Sequence, residues 1–516
     1  MKYDVIVVGA GSAGSVVATR LSEDLDRSVL LLEAGPDYPD FDNLPDELKY
    51  GYATAADIMV SDDHNWQFTG KGTEISEPML VPRGKVTGGT SAINGQVFLR
   101  GQTHDFELWE SLGNDEWGFE KVLPYFRKLE TDTDFHDDFH GTDGPIVCHR
   151  FKKEEWLPAQ TAFYNSIRAL GHEDCPDLNE PDATGIGPFP SNNPNGIRMS
   201  TAIGYLNQSR HRLNLTVRAN CMARRLIFDG NRVTGIEVES GGERFVVEAN
   251  EIVLSSGSIG NPHLLMLSGV GPVDNLNKVG VPVVLDLPGV GQNFSDHPLI
   301  FIDFKAKEGF PMDGLAPRIQ VAVRYTATGS HLKNDMMMWP SNFAPERINR
   351  GGDRMKSVGI RITAGIYLAA SRGEITLTST DPHEQPFLDY HLLEHPFDKE
   401  RGREAVRLAI QMAGHPDYDG IIDGRLNPTD ADLVSDDTLD QWLLREVTTG
   451  QHITCTCKMG PVSDSMAVVD QHGKVHGIEG LRIADASVMP ECVRANTNVT
   501  TMMIGERVAD FMRSGL

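Results

Sequence analysis

The sequence predicts an α/β protein of more than one domain, opening with a Rossmann-like dinucleotide-binding unit. Three observations predict it. The first 34 residues read as strand, glycine-rich turn, helix, strand and acid, in that order. The 516 residues exceed what one simple core accommodates. Farther along, LIFIDFKAKE (299–308) and PRIQVAVRYTATG (317–329) alternate as half-buried strands do, whereas ERGREAVRLAIQMAG (400–414) has helical spacing.

Each element of the opening unit has a physical reason. Tyr3–Val8 is a short run rich in β-branched residues, suited to a strand buried on both faces. Gly9, Gly11 and Gly14 follow in G-x-G-x-x-G register, with Ser12 and Ala13 inside the turn. The first glycine permits a tight turn, the second lets a pyrophosphate approach the backbone, and the third lets the next helix pack on the strand. That helix carries Val16, Val17, Ala18 and Leu21 as its apolar face, and its N-terminus directs free N–H groups at phosphates. A second strand, Ser28–Leu32, ends in Glu33 and Ala34, nineteen residues after Gly14. A carboxylate there accepts hydrogen bonds from adenosine ribose hydroxyls and repels a 2′-phosphate. The pattern does not choose between FAD and NAD.

Composition narrows the partners. A net charge of −26 argues against nucleic acid or an anionic membrane, both of which need a positive patch. No apolar run approaches the ~20 residues of a membrane span. MKYDVIVVG enters a strand pattern directly, without the charged and apolar regions of a secretory signal. Six cysteines in so long a chain make no disulfide framework, so a reducing cytoplasm is expected. Glycine is abundant, 51 of 516 residues, against a usual ~7%, as backbone pressed against a ligand requires.

Several further segments resemble the glucose–methanol–choline (GMC) oxidoreductases, FAD enzymes that oxidise alcohols, and the likeness runs the length of the chain. VPRGKVTGGTSAINGQVFLRG (81–101) resembles the family's first signature, and GSIGNPHLLMLSGVGP (257–272), after the buried strand EIVLSS, its second. The second signature opens a helix with Leu264, Leu265 and Leu267 apolar, and Asn261 stands where relatives usually have Ser or Thr, a residue able to cap a helix as Ser does. PGVGQNFSDHP (288–298) and GLRIADASVMP (480–490) also resemble family segments. The resemblance implies FAD held by Gly9, Gly11, Ser12, Ala13, Gly14, Glu33 and Ala34, by Gly84, Val86, Gly89, Asn94 and Gly95 of the first signature, by backbone near Met222, and by Asp485, Ala486, Asn496 and Thr500. Ile93 occupies the position at which some relatives carry a flavin-linking histidine, so the FAD is expected to be non-covalent.

QHITCTCKMG (451–460) resembles the family's H-P-V-G-T-C-K-M-G segment, setting His452 on the catalytic histidine. NTNVTTMMIGERVADFM (496–512) resembles the N-P-N-x-T motif, with Thr497 in place of the usual Pro, and sets Asn496 on its partner position. The chemistry suits both. An alkoxide is a better hydride donor than its alcohol; an imidazole, whose unperturbed pKa is ~6.5, can take the proton near neutral pH, and an amide steadies the oxyanion. The expected reaction is oxidation of CH–OH to the carbonyl, with hydride passing to flavin N5 and on to O₂, a quinone or another carrier. The competing reading is a non-redox FAD enzyme, similar to hydroxynitrile lyases or fatty-acid photodecarboxylases.

Other candidates carry less chemistry. Cys455-x-Cys457 is too close for the usual zinc spacing and lacks a second pair, so no metal is expected. Asp296–His297 and His472…His476 sit in glycine-containing loops without a visible third partner, His104–Asp105 reads as a helix start, and Trp66 as structural. By the family pattern, 1–150, 215–300 and 441–516 form one FAD-binding domain, a discontinuous α/β unit. Segments 151–214 and 301–440 form a substrate-binding domain with an antiparallel sheet, an α+β addition. Met336–Met338 and Trp339 are expected in its core. No carboxylate-and-aromatic cage for choline is visible in 301–440, so aromatic, aliphatic and sugar-type alcohols stay open, and oligomeric state is unread.

Overall fold

The structure, a computed structural model, describes residues 2–50, 62–312, 317, 319–345 and 357–516. Arg318, inside one predicted strand segment, lies outside them. The first strand, β1 (Lys2–Val8), is central because Val5–Val8 bury on both faces. It runs parallel to β2 (Val29–Leu32) on one side and to Glu243–Leu254 on the other, Ile6 standing opposite Leu30 and Ile252. Leu215–Arg218 extends the sheet beyond β2, and Leu481–Ile483 extends it beyond Glu243–Leu254, both again parallel. The helix α1 (Gly14–Leu21) makes the β1–β2 crossover, and is buried nearly all round rather than on one face.

Glu243–Leu254 changes character along its length. Its first half alternates in burial and pairs antiparallel with Arg232–Ser240, which pairs with Met222–Asp229. Its second half, Ile252–Leu254, is buried throughout between parallel neighbours. A one-face-wet antiparallel ladder demands alternation, and a covered parallel sheet demands continuous apolar residues.

The second sheet is antiparallel, in the order Ile422–Asn427, Pro298–Ala306, Ser357–Ile366, Met336–Pro345, Val321–Tyr325, Gly185–Pro188. The two predicted strand segments form Pro298–Ala306 and Val321–Tyr325, and helix Pro396–Ala413 contains most of the predicted 400–414 helix. Met336–Trp339 are buried as expected. Thr448–Thr449 pairs with the start of this sheet, Pro298 opposite Thr449. That short ladder matters, because the chain on both sides of it carries histidines. No helix among the described residues is long and apolar enough to cross a membrane.

One expectation needs correcting. Asn261 does not cap the helix Gly257–Leu267 from its N-cap, which is Ser256; it sits a turn inside, and its Oδ1 reaches back to accept the Ser256 N–H at 2.9 Å. In the same helix Met266 is buried while Leu267 is only partly so. His104–Asp105 does open a helix, Thr103–Ser111, where the Asp105 carboxylate accepts the Gln102 N–H at 2.8 Å.

Candidate active site

The glycine turn after β1 forms a cradle. Gly9 has φ +95°, and a Cβ there would stand 2.6 Å from the Ser255 carbonyl oxygen; a Cβ on Gly14 would lie 1.9 Å from Gly9 O. The 84–95 loop folds down on this turn. Gly88 N–H donates to Ala10 O at 2.7 Å, and a Cβ on Gly89 (φ +52°) would strike Gly11 Cα at 2.6 Å. Gly84 is pressed on Gly89 in the same way, while Gly95 faces open space. Val86 is buried with Leu48 and Ala92, and Asn94 Oδ1 accepts the Gln96 N–H at 3.0 Å.

Glu33 is turned into this cradle, its carboxylate accepting the N–H groups of Ala10 (3.0 Å) and Gly35 (2.9 Å). Burial raises its pKa to about 7 against the pull of those bonds. Cys221 N–H donates to Glu33 O at 2.8 Å, which brings Met222 alongside, and Ala34 is only partly buried. Ala13 precedes α1, and Ser12 Oγ donates to Asn498 Oδ1 at 2.7 Å. Asp485 is saturated by Gly257 N–H (2.7 Å), Asn261 Nδ2 (2.7 Å) and Ser487 N–H and Oγ (2.9 and 2.7 Å), so its carboxylate braces two segments, with Ala486 next to it. Thr500 Oγ, fully buried in the first turn of helix Thr497–Arg513, has no hydrogen-bond partner among the described residues. A cradle that side chains would fill and an orphaned hydroxyl beside it both fit a bound dinucleotide.

His452 and Asn496 meet at the other end of that helix contact. Asn496 is the N-cap of Thr497–Arg513, two residues before the Asn498 that touches Ser12, and its Nδ2 donates to His452 Nε2 at 3.0 Å. His452 is therefore tied to the glycine turn through two residues of chain. Its own position comes from the ladder: Ser295 and Thr454 exchange backbone bonds of 3.2 and 2.9 Å, and Gly450 N–H donates to His297 O at 2.9 Å. The Asp296 carboxylate accepts the backbone N–H groups of His452 (2.8 Å) and His297 (2.7 Å) and the Thr449 hydroxyl. Gln451 and Cys455 flank the histidine with φ of +65° and +71°, left-handed conformations that non-glycine residues seldom adopt.

Electrostatics keep this imidazole neutral. Desolvation, with the nearby Arg83 charge adding, lowers the His452 pKa to about 3. Arg83 donates to Gln451 Oε1 (2.8 Å) and Gln451 O (3.2 Å). Burial also holds Asp296 up at about 6 despite its hydrogen bonds.

The sequence brought His452 and Asn496 forward and the structure joins them. It also overturns the reading of His297 as partnerless: His297 Nδ1 lies 2.9 Å from His452 Nδ1, and its Nε2 lies 3.2 Å from Cys492 Sγ. Tyr367 stacks on it with ring centroids 4.2 Å apart. The signal available was PGVGQNFSDHP itself, read as a family segment without a role for its histidine. Cys455 and Cys457 are buried, and burial lifts the Cys455 thiol to about 12, the state of an inert packed thiol. His472 meets the Phe511 ring edge-on and His476 donates to Gly460 O at 3.1 Å, so the two do not pair. Trp66 stacks on Phe68 under the Lys85 ammonium.

The chain is similar to known proteins over nearly its whole length. Residues 3–299 match the amino-terminal part, and 369–505 the carboxyl-terminal part, of the family described as GMC oxidoreductase. The chain is 37% identical over 541 residues to the oxygen-dependent choline dehydrogenase of Burkholderia thailandensis, covering 99% of this chain and 94% of that one. It is 36% identical over 546 residues, with the same coverage, to the enzyme of that name from Yersinia pseudotuberculosis. Among solved structures, pyridoxine 4-oxidase from Mesorbium loti superposes with a TM-score of 0.90 at 27% identity, covering 99% of each chain.

Proposed function

Because the chain belongs to the GMC oxidoreductases, FAD-dependent enzymes acting on alcohols, we propose that it oxidises an uncharged alcohol to the carbonyl with His452 as base and Asn496 as its partner. One observation carries the reading: the neutral His452 imidazole is hydrogen-bonded to Asn496, two residues from the Asn498 that touches the glycine cradle. FAD, when bound, supplies the hydride acceptor. The chain's own residues do the rest. His452 Nε2 takes the hydroxyl proton, and the Asn496 amide N–H, now facing the same Nε2, turns to the alkoxide oxygen that forms there.

The cofactor reading extends residue by residue. Gly9, Gly11, Ser12, Ala13 and Gly14 with Gly84, Val86, Gly89, Asn94 and Gly95 would line the pyrophosphate and flavin. Glu33, Ala34 and Met222 would take the adenosine end, and Asp485, Ala486, Asn496 and Thr500 the flavin side. Asp485 would act through backbone it fixes, since its oxygens are already engaged. Ile93 offers no nucleophile, which supports non-covalent FAD. Segments 1–150, 215–300 and 441–516 would form the FAD-binding domain and 151–214 with 301–440 the substrate-binding domain; the free, buried cysteines fit a cytoplasmic enzyme.

An uncharged substrate is supported by Arg324. It is fully buried and donates to Leu178 O and Ala183 O, and to Arg494 O at 3.4 Å, two residues before Asn496. Among the described residues no carboxylate lies within ion-pair distance of it. Its charge also reaches Tyr367, the ring stacked on His297. A buried cation beside the site, which the charges of Asp105 and Asp177 reach only from beyond ion-pair distance, disfavours a quaternary ammonium such as choline. The test is anaerobic bleaching of the flavin by benzyl alcohol, a linear primary alcohol and choline, with air then admitted and peroxide assayed. Bleaching by an uncharged alcohol, with choline slower, is expected. A flavin that stays oxidised with every alcohol contradicts the oxidation, and choline as the fastest donor contradicts the substrate class.

A further inference from the structure

A second imidazole stands behind the first. His297 is fully buried, between the Tyr367 ring and the Cys492 thiol, with Nδ1 2.9 Å from His452 Nδ1. Burial lowers the pKa of both rings, so each is neutral, with one N–H and one lone pair. A row of such groups must point one way. The Asn496 amide nitrogen can only donate, so His452 Nε2 accepts and His452 carries its proton on Nδ1. His297 Nδ1 must then accept, which leaves the His297 proton on Nε2, facing Cys492. The surroundings agree, for the Val493 carbonyl, an acceptor, lies 3.8 Å from the same Cys492 Sγ. Space is reserved for the contact: a Cβ on Gly450 would come within 2.6 Å of His297 O and 3.2 Å of His452 Nδ1.

We propose that His297 is a positioning residue whose Nδ1 lone pair holds His452 in the tautomer that turns its basic Nε2 toward Asn496 and the substrate hydroxyl. The role rests on the alcohol-oxidation reading for its purpose, but the tautomer does not. Without this acceptor the His452 Nδ1–H is buried unpaired, and the imidazole gains by moving its proton to Nε2, where it is no longer a base.

Two measurements test it. In FAD-loaded enzyme labelled with nitrogen-15 histidine, the His452 signals, identified by their loss in His452→Gln, are expected to show a protonated Nδ1 and an unprotonated Nε2. The reverse assignment overturns the proposal whether or not any alcohol reduces the flavin. In anaerobic stopped flow, His297→Phe keeps the ring against Tyr367 and removes the acceptor, whereas His297→Asn returns an oxygen near the place of Nδ1. His297→Phe is expected to lower the limiting rate of flavin reduction at least about tenfold, the worth of one hydrogen bond, with half-saturation unchanged, and His297→Asn to restore it to within about threefold. A phenylalanine variant at the wild-type rate, or two variants equally slowed, overturns the proposal, and the labelling experiment decides if neither variant folds.

Discussion

At the scale of single residues the site is an imidazole whose surroundings withhold its charge. Desolvation and Arg83 push His452 far below its ordinary value. Only the neutral ring is a base, and the ring protonates only as pH falls through its pKa in the folded enzyme. kcat/KM is therefore expected to be flat above pH 6.5 and to fall only on the acid side; an acid limb centred at or above pH 7 would contradict the assignment. Removing the amide donor in Asn496→Ala is expected to cost about 10²-fold in flavin reduction, the effect of losing one oxyanion donor, and an unchanged rate would strip Asn496 of that part. His452 and Asn496 were legible because each lies in a recognisable local segment. The partnership of His297 with His452 was not, since 155 residues separate them and only the ladder between 295–299 and 448–454 brings them together.

At the scale of elements, helix Thr497–Arg513 binds the site to the nucleotide turn. The sequence shows one apolar face on it, Met503, Ile504, Val508, Phe511 and Met512, all buried. Its polar face is buried too, because Glu506 accepts from Arg20 Nε (2.9 Å) and Tyr205 (2.9 Å) and pairs with Lys128 at 2.7 Å. Periodicity cannot reveal a polar face whose partners come from three other segments. Gly505 lets the helix cross α1 closely, a Cβ there lying 2.9 Å from Ala13 O and 3.1 Å from Val16 Cβ. Gly505→Leu is expected to destabilise by about 1–3 kcal/mol through overpacking and to lower the FAD retained on purification. Wild-type melting and full flavin content would show that the crossing is looser than the geometry requires. Glu243–Leu254 carries the same lesson from the other side: its alternating half and its continuous half are both visible in sequence, but not that they are one strand serving two ladders.

At the scale of the whole molecule, the chain builds one mixed sheet around β1 and a separate antiparallel sheet, which it enters at Pro298, directly after His297. The opening βαβ unit announced the first sheet. The second could be expected only as alternating segments, because antiparallel order is set by contacts remote in sequence. Away from the site, Glu130, Asp132 and His140 come together with Arg100, Arg150 and Asp177 in a buried knot. The arginines already neutralise the carboxylates, so the cluster reads as ion pairs, not as a cation site. Burial would lower the His140 pKa, but hydrogen bonds to Asp132, Asp177 and Glu130 raise it to about 11. A raised folded-state pKa stabilises fully below the unfolded value of ~6.5 and is lost as pH climbs toward 11. His140→Gln is expected to lower the melting temperature more at pH 6 than at pH 10; an equal loss at both would mean that His140 is not charged in the fold.

The central claim, that His452 removes the alcohol proton beside a bound flavin, is tested most directly by anaerobic stopped-flow reduction of His452→Gln with the best uncharged alcohol. The expected result is a protein that keeps its yellow FAD and reduces it at least about 10²-fold more slowly. Reduction at the wild-type rate by a fully loaded variant would contradict it.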